Sequence, residues 1–240
     1  MRLRAPPAAD NKPRVNSPLA VVCDFDGTAT LVDVGDEISK RFGGAAHWEA
    51  QAARFRRGEL DTRGIIEAIY THVTASEAEV RAFAAAEGKL RPGFAALVAA
   101  CRDREVPFLL ASGGLRQYIE AVLEAHLEPS LRAHVRVLAN EGHFSPEGLR
   151  VTFPGDAQSR AAGCAVCGSC KRVAVALARS EGARAVIGLG DGFADRCLAR
   201  FADRMFAREG SFLARDCDEK GVAYTPFITL DAAAAAVRDF

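Results

Sequence analysis

A chain of 240 residues is long enough to bury a full hydrophobic core and to carry one smaller insertion beside it. Its 31 basic and 31 acidic residues cancel to a formal charge of zero, which excludes the basic footprint of a nucleic-acid or anionic-membrane binder and leaves a small molecule as the expected partner. No apolar stretch approaches the ~20 residues of a membrane span, and the seven cysteines are too scattered for a secreted disulfide scaffold, so a soluble protein of the reducing cytoplasm is expected.

The first 17 residues, with Arg2, Arg4, Lys12 and Arg14 among Pro and Ala, lack the continuous apolar core of a secretory signal and are expected to form a disordered tail. Residues 19–23, Leu-Ala-Val-Val-Cys, are a continuous apolar run that suits a strand covered on both faces. Asp24 and Asp26 follow it, two apart, so that in extended chain both carboxylates point the same way. They stand at the strand end that, in an α/β sheet, opens onto the ligand crevice. Asp26-Gly27 also carries a hairpin-turn signature, but helix rather than a partner strand is expected after it.

From about 34 to 88 the chain is rich in Ala, Glu and Arg, helical in pattern and without a convincing buried strand. This predicts an inserted helical subdomain, with the core assembled from 18–33 and 89–240. Asp33 lies at the start of the insertion. Arg54, Arg56 and Arg57 read either as a solvated helix face or as a means of holding a carboxylate, and Trp48 and Phe55 either as a pocket wall or as internal packing.

Phe94, Leu97, Val98 and Cys101 recur at helix spacing, and Phe108-Leu-Leu-Ala reads as the second buried strand. Ser112, Gly113 and Gly114 then precede a helical pattern running to His126, where a hydroxyl and free amides can meet an anion, although an ordinary helix cap uses the same residues. Val135 to Leu138 predicts a third strand, and two strand-like runs around Ser145-Pro-Glu-Gly148 predict a hairpin. Lys171 opens a helix to Ser180, and the strand Ala185 to Leu189 runs into Gly-Asp191-Gly-Phe-Ala-Asp195. There two glycines permit close approach of the backbone, and the carboxylates suit a hard cation such as Mg²⁺. The alternation defines an α/β protein: a Rossmann-like, doubly wound parallel sheet with a small inserted helical cap and a β-hairpin excursion.

Cys164, Cys167 and Cys170 stand three apart. Three readings are open: zinc, with His143 or Cys197 as a fourth ligand, a reversible disulfide beside Lys171, or inert thiols.

The ordered set Asp24-x-Asp26-Gly-Thr28, Ser112, Lys171 and Gly-Asp191-Gly-x-x-Asp195 resembles the motifs of haloacid dehalogenase superfamily phosphatases, over essentially the whole chain beyond the tail. The helical insertion resembles the cap of the branch that includes phosphoserine phosphatase. The stretch Ala-Asn140-Glu-x-His-Phe, Phe153-Pro and Cys167-Gly-Ser-Cys170-Lys171 is similar, more narrowly, to the methionine-salvage phosphatases of 2-hydroxy-3-keto-5-methylthiopentenyl-1-phosphate.

The resemblance implies Asp24 as nucleophile and Asp26 as general acid and base. It implies Ser112 and Lys171, with Thr28 and Gly113, around the phosphate. Mg²⁺ is implied on Asp24, the Asp26 carbonyl and Asp191, with Asp195 beside it or on it. The substrate is then a small phosphorylated metabolite. Phosphoserine is an alternative, but Ala194 stands where phosphoserine phosphatases usually carry Asn, and Asp33 where they carry Glu. A non-catalytic metal-binding or thiol redox-sensing protein is the alternative of another class.

Overall fold

The computed structural model describes residues 17–164, 166–167 and 169–240. The expected disordered tail therefore lies outside the described residues except for Ser17, which is buried and accepts a 3.3 Å hydrogen bond from the Leu19 amide.

Seven strands, β1 (Leu19–Cys23), β2 (Phe108–Leu115), β3 (Val135–His143), β4 (Arg150–Thr152), β5 (Ala185–Gly190), β6 (Arg204–Arg208) and β7 (Thr225–Phe227), form one sheet in the order β4-β3-β2-β1-β5-β6-β7. Every pairing is parallel except β3 with β4, the predicted hairpin excursion. The continuous apolar runs follow from burial on both faces. Leu19, Val21 and Cys23 of β1 pack into one hydrophobic cluster with Phe108, Leu110, Ile187 and Leu189. Ala20 and Val22 point the other way and join Leu109, Ala111 and Val186.

The first face is covered by the helices Phe94–Asp103, Arg116–His126 and Asp231–Arg238, and the second by Lys171–Ser180, Arg196–Phe201 and Phe212–Lys220. Between β1 and β2 the chain makes the inserted helices, among them Val34–Ile38, Ala45–Arg56, Thr62–Tyr70 and Glu77–Glu87. Their buried residues Ile38, Ile69, Tyr70, Val80 and Ala84 belong to the same cluster as the first sheet face, so the insertion shares that core. Arg63 ties it to the far side of the site, pairing with Asp156 at 3.0 Å and lying 4.4 Å over the Phe153 ring.

Two local expectations are corrected. After Gly27 the chain does not enter a helix directly. It closes one wide turn, Phe25–Ala29, in which Gly27 takes φ 72 and the Thr30 amide donates to the Phe25 carbonyl at 3.0 Å, then bridges Leu90 before helix begins at Val34. The left-handed angle and the contact of this turn with Asp191 explain the departure, since a Cβ on Gly27 would stand 2.4 Å from Asp191 Oδ2. Nor does Ser112 end β2. The strand continues to Leu115 with a register shift between Ala111 and Leu115, and the helix starts only at Arg116.

Sheet order positions the site. β1 lies between β2 and β5, so connections leave it in opposite directions and open a crevice at the carboxyl ends of these strands. Cys23 pairs with both Leu110 and Leu189, which brings Asp24, Ser112 and Asp191 to one level of that edge.

Candidate active site

Asp24 follows β1 directly and is 5% exposed, with the Lys171 ammonium 2.7 Å from its Oδ1. The same ammonium lies 2.9 Å from Asp195 Oδ1, and Lys171 is itself 4% exposed. Burial disfavours the lysine's charge, yet the two carboxylates outweigh it and hold its pKa above the ordinary value. Asp24 is displaced upward, first by desolvation and then by the charge of Asp195, with Lys171 opposing.

Asp191 receives Arg208 Nη2 at 2.9 Å and the Thr28 hydroxyl at 3.3 Å. Asp195 Oδ2 accepts the amides of Asp191 and Gly192 at 2.9 and 2.8 Å, which folds the Gly-Asp-Gly turn around it. Its Oδ1 is buried with no hydrogen bond of good geometry beyond the ion pair with Lys171. Asp24, Asp191 and Asp195 offer oxygen atoms all within 4.8 Å of one another.

Asp26 stands outside that group. Its Oδ1 accepts from Val34 N at 2.9 Å and Gly35 N at 3.4 Å, and its Oδ2 from Tyr118 Oη at 2.7 Å and Ser112 Oγ at 3.4 Å. Desolvation pushes its pKa up to about 6 against the lowering effect of the Tyr118 bond. A carboxyl in that range both gives and takes a proton near neutrality.

A cavity of about 180 Å³ opens on these groups, lined by Asp24, Asp26, Ser112, Gly113, Lys171, Asp191 and Asp195 from the sheet edge. Its other walls include Asp33, Thr62, Ile66, Ile69, Tyr70, Tyr118 and Phe193. A larger cavity of about 330 Å³ beneath residues 154–177 shares Ser112 but has no carboxylate in its lining, so the chemistry belongs to the smaller one.

The expected site residues are thus brought together, with exceptions. Thr28 is fully buried and does not reach the cavity, because its hydroxyl is turned to Asp191. Arg57 is exposed and paired with Glu59 at 2.6 Å, and Arg54 and Arg56 are likewise held by acidic neighbours on the helix surface. Trp48 bonds Asp36 at 2.8 Å inside the insertion, whereas the Phe55 ring meets Phe193 at the cavity rim, 5.4 Å between centroids. Asp33 lies at the cavity, where it also accepts the Asp36 amide at 2.8 Å as the cap of helix Val34–Ile38. Cys167 and Cys170 are buried and Cys164 and Cys197 half-buried, but among the described residues they do not form a group of three or more ligand atoms within 4.8 Å of one another, and His143 is engaged with Thr152 at 2.9 Å.

Other residues of the site were not singled out in the sequence. Tyr118 carried no signal beyond its place on a helix face. Arg91 is 7% exposed and donates to the carbonyls of Gly27 (2.7 Å), Thr28 (2.7 Å), Thr30 (3.0 Å) and Ile228 (3.1 Å), fixing the turn after Asp24. Arg208 sits at the end of a strand whose basic ends concealed it. In the sequence Asn140 stands out only as part of a motif. It is fully buried and ties the Gly113 carbonyl (2.7 Å) to the Ser169 hydroxyl, joining the Ser112 loop to the segment before Lys171.

Residues 21–200 match the model of the haloacid dehalogenase-like hydrolases. The chain is 32% identical over 217 residues to the 2-hydroxy-3-keto-5-methylthiopentenyl-1-phosphate phosphatase of Geobacillus kaustophilus, covering 88% of this chain and 91% of that protein. Among solved structures, a haloacid dehalogenase family hydrolase from Salmonella enterica serovar Typhi superposes with a TM-score of 0.72 at 18% identity, covering 95% of this chain and 74% of that one. A substrate-bound phosphoserine phosphatase superposes with a TM-score of 0.64 at 15% identity, covering 90% and 95%. The chain belongs to the haloacid dehalogenase-like hydrolase family, and within it the protein is a phosphatase. Among the described residues no helix is long and apolar enough to cross a membrane.

Proposed function

We propose that the protein hydrolyses 2-hydroxy-3-keto-5-methylthiopentenyl-1-phosphate, a phosphate ester of methionine salvage, through an aspartyl phosphate on Asp24 and with Mg²⁺ as cofactor. The chemistry of the cavity carries the substrate reading. Among the described lining residues Lys171 is the one cation, and it is engaged by Asp24 and Asp195, so no guanidinium is available for a substrate carboxylate. Ile66, Ile69, Tyr70 and Phe193 instead offer apolar wall to a methylthio group. The name of the Geobacillus relative supports the same substrate, and the carboxylate of phosphoserine meets no free cation among the described lining residues.

The donor set fits the cofactor. Oxygens of Asp24, Asp191 and Asp195 within 4.8 Å, one of them buried without a good hydrogen bond, suit a hard cation. When bound there, Mg²⁺ supplies the positive charge that lets a carboxylate approach a phosphate dianion.

Lys171, Ser112 and Gly113 line the cavity, and in this reading the lysine ammonium, the Ser112 hydroxyl and the Gly113 amide hold the non-bridging phosphoryl oxygens. An Asp24 oxygen attacks phosphorus, the bond from phosphorus to the substrate oxygen breaks, and the departing alkoxide takes its proton from Asp26. In the second half, water attacks the same phosphorus and gives its proton to Asp26. The bond from phosphorus to Asp24 then breaks, releasing inorganic phosphate and restoring both carboxyl groups. Residues 34–88 act as the cap that covers this chemistry.

The test is phosphate release from the methylthio ester, phosphoserine and other small phosphomonoesters, with Mg²⁺ and with chelator. We expect metal-dependent release with kcat/KM on the methylthio ester at least ~10-fold above the others. An equal or better rate on phosphoserine would overturn the substrate.

A further inference from the structure

We infer that Asn140, which lines neither of the two cavities, is a positioning residue for phosphate binding: it sets the direction of the Ser112 hydroxyl and ties the loop that carries it to the segment leading into Lys171. The inference rests on the reading of Ser112, Gly113 and Lys171 as the groups that hold the phosphoryl oxygens. Asn140 belongs to β3 and pairs with Leu115 beyond the register shift of β2, so its strand runs beside the Ser112 loop. A fully buried side-chain amide needs partners at both ends. Its Nδ2 donates to the Gly113 carbonyl at 2.7 Å, and its Oδ1 accepts from the Ser169 hydroxyl. The chemistry fixes which end is which. A carbonyl only accepts, so the NH₂ group has to face Gly113, and the oxygen left on the other side requires Ser169 to donate.

The bond to Gly113 reaches Ser112 through a single peptide unit. The peptide between Gly113 and Gly114 is trans, so its carbonyl and its N–H point in opposite directions. With the carbonyl drawn to Asn140, the Gly114 amide is turned to Ser112 Oγ, to which it donates at 2.9 Å. A hydroxyl that accepts at one lone pair directs its own proton elsewhere, here toward the cavity, where Asp26 Oδ2 lies 3.4 Å away. Without Asn140 that peptide is free to rotate, and the Ser112 proton loses its fixed direction.

The other end of the amide acts toward Lys171. Ser169 stands two residues before the lysine, whose ammonium is held from Asp24 at 2.7 Å and from Asp195 at 2.9 Å. Ser159 holds the same segment through the Cys170 amide at 3.2 Å. One buried side chain is thus shared by the two segments that supply a neutral and a charged phosphate ligand. Donors fixed in advance stabilise phosphoryl charge better than donors that must first reorganise.

The test is the dissociation constant of inorganic phosphate for the folded full chain with Mg²⁺, measured by titration calorimetry well below the melting temperature. Asn140→Leu removes both hydrogen bonds at similar side-chain shape and should weaken phosphate ~10-fold. Ser169→Ala removes one of them and should weaken it ~3-fold. The double variant should lose no more than Asn140→Leu alone, because the serine acts through the asparagine. A merely structural asparagine would lower the melting temperature and leave the constant of the folded protein unchanged, and that result overturns the inference. So does a double variant whose loss is the product of the two single losses. Should Asn140→Leu fail to fold, Ser169→Ala decides, and an unchanged constant overturns the inference. Ser112→Ala separates the inference from the reading beneath it, since loss of a phosphate ligand should itself weaken binding at least ~10-fold. No loss in Ser112→Ala would overturn both, whereas a loss there with none in Asn140→Leu would overturn the positioning role alone.

Discussion

Tyr118 Oη donates a 2.7 Å hydrogen bond to Asp26 Oδ2, joining residues 92 apart in sequence. The other Asp26 oxygen is held from the opposite side by the Val34 and Gly35 amides, so the carboxyl is aimed jointly by a core helix and by the first helix of the insertion. Tyr118→Phe keeps a buried ring beside Phe25 and removes only the hydroxyl. The expected result is a ~10-fold loss of kcat with KM little changed and stability lowered by no more than about 1.5 kcal/mol. Steady-state kinetics with a thermal melt check this. A raised KM at unchanged kcat would show that Tyr118 shapes the pocket and does not aim the carboxyl.

Gly114 is where this contact becomes intolerant of any side chain. A Cβ there would stand 1.7 Å from Tyr118 Oη and 2.9 Å from Asp26 Oδ2, whereas one on Gly113 would meet only the Ile66 Cδ1 atom at 3.2 Å. Gly114→Ala should cost roughly 1–3 kcal/mol of stability and at least ~10-fold in kcat, because the phenol must leave its partner. Gly113→Ala should cost little stability, since the end of one isoleucine can give way. Denaturant unfolding of the two variants side by side tests the contrast, and equal losses would refute it.

Metal dependence follows from the charges around Lys171. Asp24, Asp191 and Asp195 crowd their oxygens within 4.8 Å, and burial and Asp195 both push the Asp191 pKa up while Arg208 lowers it. A divalent ion relieves that repulsion only in the folded state, so Mg²⁺ at about 100 times its dissociation constant should stabilise the fold by roughly 2.7 kcal/mol. Chelator should remove both that stabilisation and turnover, and Mg²⁺ should restore them. Asp191→Asn should largely abolish the thermal shift. A melting temperature indifferent to Mg²⁺ would mean that Lys171 and Arg208 alone balance the cluster.

What was legible in the sequence and what was not divide along a physical line. β1, β2 and β5 were readable because burial on both faces forces unbroken apolar runs, and such strands end where polar residues can meet a ligand. Asp24, Ser112, Lys171 and Asp191 therefore stood out. β6 and β7 did not, since Arg204 and Arg208 flank the one and the other is three residues long with Pro226 in its middle. Arg91 and Tyr118 were invisible for another reason. Their roles consist of contacts to carbonyls and a carboxylate more than 60 positions away, and no local pattern encodes these. Arg57, read from the sequence as either a solvated face or a carboxylate contact, is exposed, paired with Glu59 two residues on, and absent from the cavity lining.

Phe193 is the residue through which the insertion and the last motif meet. It lies between Asp191 and Asp195, lines the cavity, and has Phe55 at 5.4 Å and Phe212 at 5.5 Å between ring centroids, while remaining 38% exposed. Such a ring can act on catalysis in two ways, as wall against an apolar substrate group or as the contact that seats the insertion over the site. Phe55 touches Phe193 but does not line the cavity, so the two variants separate these roles. Burial of a methylthio group against the ring predicts that Phe193→Ala raises KM for the methylthio ester ~10-fold, with a smaller change for a short alkyl phosphate. Phe55→Ala should then raise it less than ~3-fold, because Phe55 supports the Phe193 ring without lining the cavity. Equal effects of the two substitutions on both substrates would instead make the Phe55 contact, and with it the seating of the insertion, the source of the affinity.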